Sequence, residues 1–168
     1  KKEIPDLVIA NDPGGTPLHF VHVNSASAPA GTGTLIAPFR TLAAAQAASN
    51  PNDILLVHSG SSFTGESIAL QNGQQFLGEG INHFVMTQQA GLVQLPSPTG
   101  GNTLPIIAGA PGDAVTMASN SKVSGFVINT PGGRGVSASN LNGNVVISRV
   151  QISNATTQGI FLEDIQGR

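Results

Sequence analysis

Four histidines, one pair of adjacent carboxylates and one row of small polar residues are the side chains with a spacing that could do chemistry. His19 and His22 would bind a metal only if their rings converged, and a spacing of three on a strand sends them to opposite faces. His58 and His83 have no partner close in sequence, so all four read as solvated or locally bonded imidazoles. No metal is expected from them.

Glu163 and Asp164 are adjacent, and on a strand adjacency again points two side chains apart, so they cannot form a local acid/base pair. Asp164 does fall 24 residues after Asn140, and Ser119 lies 21 residues before Asn140. Stacked strands would turn Ser119, Asn140 and Asp164 into a polar ladder that satisfies turn amides. A calcium or sugar-binding row is the competing reading, but Ca²⁺ takes about six or more oxygens and only Asp164 carries charge. Arg134, Arg149 and Arg168 lie on different stretches, Gln158 registers above Arg134, Ser148 sits near no acid, and no stacked acid and base emerges. Trp and Tyr are absent, which removes the usual platforms for sugar stacking. Gly31-Thr-Gly-Thr34 lacks the Lys and the spacing of a phosphate loop and reads as a turn. No catalytic, cofactor-binding or metal residue is assigned.

What would position these residues is a repeat. Ten positions within residues 123–143 recur 24 residues later with matching character: Val123/Ile147, Phe126/Val150, Ile128/Ile152, Thr130/Asn154, Gly135/Gly159, Val136/Ile160, Ala138/Leu162, Asn140/Asp164, Leu141/Ile165 and Gly143/Gly167. A fixed period with apolar residues two apart predicts a solenoid whose strands stack in parallel. Val123, Phe126, Ile128, Ile147, Val150, Ile152 and Ile160 should point inward. Asn72-Gly73 and Asn142-Gly143 argue the other way, because Asn-Gly favours type I′ hairpins and hence antiparallel strands. Asn also tolerates the left-handed backbone that a tight corner needs, and the repeat decides for the solenoid over a sandwich.

Upstream, Leu7 to Ile9 reads as a short strand ended by the turn Asp12-Pro13-Gly14-Gly15, and residues 18–23 as the next strand. A loop of small residues spans 24–33. The helix at 42–49 is expected from its alanines, from Thr41 as cap and from the Asn50-Pro51 stop. Leu42, Ala45 and Ala48 or Ser49 form a narrow apolar face, which should cover the open end of the first coil. Residues 53–58 read as a buried strand, 67–80 as strand, turn and strand, and 81–113 as coils with a longer excursion. One domain is expected, with residues 1–40 packing on the cap and 41–168 forming the cap and coils.

Composition bounds the partners. Charged residues are 10% and net charge is −2, against about 25% charged in an average soluble domain, and the Lys and Arg are scattered. That leaves no electrostatic footprint for nucleic acid. Hydrophobic residues at 39% argue for a folded chain over a disordered one. No apolar run approaches the ~20 residues of a membrane helix, so membrane insertion is not expected. The absence of Cys fits both an exported and a cytosolic protein. The start Lys-Lys-Glu-Ile-Pro-Asp has no signal-peptide stretch and reads as a cut or processed end. The stretch 160–167 opens a coil without completing it, which reads as a truncation whose open edge favours end-to-end pairing with a second copy.

Residues 20–80 resemble the amino-terminal segment of right-handed parallel β-helix proteins of the pectin-lyase-like class. The resemblance is carried by Phe20-Val-His-Val-Asn24, Gly31-Thr-Gly-Thr34, Pro38-Phe-Arg-Thr-Leu42, the Ala-rich helix, Asp53-Ile-Leu-Leu-Val-His-Ser-Gly60 and Ile68-Ala-Leu-Gln-Asn-Gly-Gln-Gln-Phe-Leu-Gly-Glu-Gly80. The version with His-Phe-Val-His-Val before the loop looks most like β-helix segments of large bacterial surface proteins. This resemblance implies an all-β, right-handed single-stranded parallel β-helix with an N-terminal capping helix, and an exported, cell-surface location. The same scaffold serves lyases, hydrolases, tailspikes and adhesins, so it leaves the activity open. The expected role is a non-catalytic structural or adhesive segment, with a polysaccharide or a cell-surface ligand as partner and no cofactor. The alternative is a fragment of a polysaccharide lyase or glycoside hydrolase of that fold, its cleft in the irregular stretch 81–113 or beyond residue 168.

Overall fold

The computed structural model describes residues 10–167; the strand expected at Leu7 to Ile9, like Arg168, lies outside them. The chain is built mainly of strands with one short helix. In chain order the elements are β1 (Phe20–Val23), α1 (Leu42–Ala48), β2 (Ile54–Val57), β3 (Ser62–Thr64), β4 (Ile68–Ala69), β5 (Gln75–Gly78), β6 (Phe84–Thr87), β7 (Gly91–Gln94), β8 (Ile106–Ala108), β9 (Val115–Thr116), β10 (Lys122–Asn129), β11 (Val136–Asn142), β12 (Val146–Ser153) and β13 (Ile160–Gln166).

Among the described residues these strands pair in parallel, β6 with β7 excepted, and isolated antiparallel bridges join Asn11 to Pro17 and Thr34 to Ala37. One run of neighbours is β1, β2, β5 and the first half of β10; a second is β3, β8 and the second half of β10; a third is β4, β9, β11 and β13. β12 lies along the other edge of β10. The chain therefore returns to the same three ladders in the same order. Its step is 21 residues from Val115 to Val136, and 24 from Val123 to Ile147 and from Val136 to Ile160. Between β5 and β10 it is 47, Gln75 to Lys122, because residues 80–104 leave the ladders. The repeat read from the sequence is thus a parallel register, and neither Asn-Gly pair forms a hairpin tip.

The corners explain where Asn and Gly fall. Asn52, Gly73, Asn120 and Gly143 all have left-handed backbone, with φ of 70°, 74°, 59° and 106°, the region that Gly and Asn adopt at least cost. In three of these corners the next side chain reaches back three residues: Asp53 Oδ2 accepts from the Asn50 amide at 2.7 Å, Gln74 Oε1 from Gln71 at 2.9 Å, and Ser121 Oγ from Ala118 at 3.1 Å. Each return thus satisfies an amide that the turn would otherwise strand.

The main core joins β1, α1 and the ladders. Val123, Phe126 and Ile128 are fully buried, and Ile147, Val150 and Ile152 pack against them partly buried. Ile160 departs from the inward set, being 48% exposed; among the described residues β13 pairs with β11 alone, and no strand covers its other side. Thr41 caps α1 by accepting from the Ala44 amide at 3.1 Å, and Leu42 and Ala45 are its buried face. β2 is buried on both faces, which its unbroken Ile-Leu-Leu-Val run anticipates. Leu55 and Val57 enter the main core, whereas Ile54 and Leu56 enter a second cluster with Leu77, Val85 and Leu95. The excursion and its antiparallel β6–β7 hairpin thus cover the outer face of the β1–β2–β5 ladder.

Candidate functional site

Polar side chains converge where that excursion meets the ladders. β1 supplies His22, and the chain leaving β2 supplies His58; His22 Nδ1 and His58 Nε2 are 3.1 Å apart, with the rings edge to face. His58 is 4% exposed. Burial lowers both pKa values; His58 lowers that of His22 further, while the Glu79 charge opposes the shift in both. One neutral ring donates to the other, and the pair is a long-range contact rather than the solvated or local arrangement expected from sequence.

Glu79 follows β5 directly and is 2% exposed. Its Oε2 accepts from the Ser59 amide at 2.9 Å, and its Oε1 accepts from the Thr99 amide at 2.7 Å and from the Ser97 hydroxyl. Burial alone would raise this carboxyl, yet the donors from Ser97, Ser59 and Thr99 hold it below its ordinary value. The Ser59 hydroxyl adds a second tie, donating to the Thr103 carbonyl at 2.9 Å and accepting from the Thr103 amide at 3.0 Å. A carboxylate so saturated and so weakly basic is a poor proton acceptor, and the Ser97 hydroxyl gives its proton to Glu79 rather than to an imidazole. Chemically this is a fastening: it straps residues 97–103 onto the ladders.

His83 is buried, and its Nε2 donates to the Gly78 carbonyl at 2.8 Å, while exposed His19 meets Asp53 at 3.0 Å. Among the described residues no group of three or more His, Cys, Asp or Glu side chains is placed to hold a metal ion.

Of the sequence-derived ladder residues, Asn140 lies within β11 and Asp164 within β13, whereas Ser119 sits in the turn after β9. Asn140 and Asp164 are both exposed and share left-handed backbone, φ 53° and 49°. Ser119 Oγ accepts from the Asn142 amide at 3.0 Å. The left-handed turn at Asp164 interrupts strand alternation, which leaves Glu163 and Asp164 both exposed. A stacked acid and base does occur: Asp113 Oδ1 accepts from the Arg134 amide at 2.8 Å, and its Oδ2 lies 3.7 Å from Arg134 Nη1. Arg134 Nε donates to Gln158 at 3.1 Å, and the guanidinium lies 3.6 Å over the Phe161 ring. The step from Asp113 to Arg134 is the same 21 that relates Val115 to Val136, and that arithmetic would have found the pair.

No helix among the described residues is long and apolar enough to cross a membrane. Set against family models, curated proteins and solved structures, the chain has no significant match to any of the three.

Proposed function

We propose that the chain is a segment of a right-handed single-stranded parallel β-helix, closed at its first coil by α1, and that it serves an exported bacterial surface protein as a rigid stalk or adhesive support without catalysing a reaction. The observation that carries this reading is the 24-residue parallel register held in two ladders at once, Val123↔Ile147 and Val136↔Ile160. Right-handed crossover is the general preference for parallel connections. Parallel stacking lets each coil satisfy the backbone of the next, giving a rod whose stability adds up from coil to coil. The side chains that could have formed a reaction centre are spent on tying segments together: Glu79 on Ser59, Ser97 and Thr99, and Arg134 on Asp113 and Gln158. The ligand class is a polysaccharide or another cell-surface molecule. The exposed apolar side chains Val146 of β12 and Ile160 and Leu162 of β13 support pairing of this face with a second copy.

The alternative, a fragment of a polysaccharide lyase or glycoside hydrolase, draws on the Asp113–Arg134 stack and on the irregular stretch 81–113 as the place for a cleft. The test is release of unsaturated or reducing sugars from acidic and neutral polysaccharides by the intact protein. No release is expected. Release abolished by Glu79→Gln or Arg134→Ala would replace the structural reading with the enzymatic one.

A further inference from the structure

A cleft of about 400 Å³ opens beside the histidine pair, lined by Phe20 and His22 of β1, Leu56 of β2, Leu35 of the loop before α1, and residues 95–98. That volume falls within the range of about 300 to 1,000 Å³ typical of small-molecule sites. Its polar groups are few and fixed from behind. His22 is held through Nδ1 by buried His58, and Ser97 is held through its hydroxyl by buried Glu79. A few polar groups locked by buried partners inside apolar walls is the make-up of a preorganised binding site.

We propose that this cleft binds a flat, uncharged ring compound bearing a hydroxyl, the phenol class. Three features select that chemistry. The Phe20 and His22 rings are stacked, with centroids 6.4 Å apart and planes at 27°, and they offer a ring an aromatic wall. With Nδ1 engaged by His58, the nitrogen left to a ligand is Nε2; a hydroxyl can donate or accept and therefore serves either tautomer. Glu79 adjoins the site through the shared lining residues Leu56, Leu95, Pro96 and Ser97 and has no cation among its bonded partners. Its charge repels an anion. A sugar ring fits less well, because most of its hydroxyls would be buried without partners, each at a cost of about 1 to 3 kcal/mol. This site is independent of the stalk reading and would survive its failure.

Because the chain contains neither Trp nor Tyr, binding of 2-naphthol to the intact protein can be read from the probe's own fluorescence. Saturable one-to-one binding is expected, with 2-naphthoate, the same ring carrying a carboxylate, weaker by about tenfold or more. Leu35→Asp and Pro96→Asp alter exposed lining positions and should each abolish 2-naphthol binding without moving the melting temperature. Absence of saturation, equal binding of the naphthoate, or undiminished binding in whichever variant keeps the wild-type melt would overturn the proposal.

Discussion

His22 and His58, 36 residues apart in sequence, face each other nitrogen to nitrogen at 3.1 Å beneath a segment that the chain inserts between β5 and β8. Both titrate below the ordinary histidine value of 6.5, chiefly because burial disfavours the charged ring. The unfolded chain therefore binds protons first as pH falls. Their contribution to stability is complete above about pH 6.5 and is lost as pH drops through the lowered folded-state values. Glu79 and Asp113, both held below their ordinary values, add a second loss at lower pH. Denaturant midpoints should fall between pH 7 and pH 5 in the wild type, and His58→Gln should flatten that slope. A midpoint independent of pH across this interval would refute the buried neutral pair.

Phe126 stacks on Phe76 with centroids 4.2 Å apart and planes at 15°, and both are fully buried. Phe126→Ala should cost about 3 to 5 kcal/mol as a large-to-small core change. Glu163 is exposed, so Glu163→Ala should stay within about 0.5 kcal/mol. Equal, small losses in thermal melts of the two variants would show that the inward and outward faces are misassigned.

Gly125 has φ 84° within β10, and a Cβ there would come 2.7 Å from the Gly78 carbonyl oxygen of neighbouring β5. Gly60 has φ 73° with nothing within 4 Å of the same added atom. Gly60→Ala should therefore cost only the left-handed strain of about 1 to 2 kcal/mol, and Gly125→Ala should cost clearly more, because a backbone carbonyl cannot swing aside. Chemical denaturation of the two variants checks the stacking of β5 on β10, since an equal loss would mean that Gly78 does not lie against Gly125.

Leu162 is 56% exposed and Ile160 48%, both on β13. Sedimentation velocity should show reversible association at high concentration that Leu162→Lys weakens. A monomer at every concentration, or association indifferent to Leu162→Lys, would contradict the proposed pairing with a second copy.

The parallel register was legible in the sequence because it rests on a constant offset: ten matched positions needed no knowledge of the partners' geometry. Thr41 and the alanines announced α1 for the same local reason, through capping and propensity. The convergence of His22, His58 and Glu79 was not legible. β1 pairs with β2 at an offset of 34, Phe20 to Ile54, and β2 pairs with β5 at 21, so no single period brings these residues together. The inserted β6–β7 hairpin hid the second core in the same way. Ile160 matched Val136 in type but not in burial, since a repeat fixes which way a side chain points and not what lies beyond it.

The central claim, that the chain belongs to the exterior of a cell as a non-catalytic structural segment, is tested most directly by labelling intact cells of the native source with an antibody raised against the folded chain. Intact, unpermeabilised cells should be labelled, and brief treatment with an external protease should strip the label. Labelling that appears only after lysis, with the antigen protected from that protease, would contradict it.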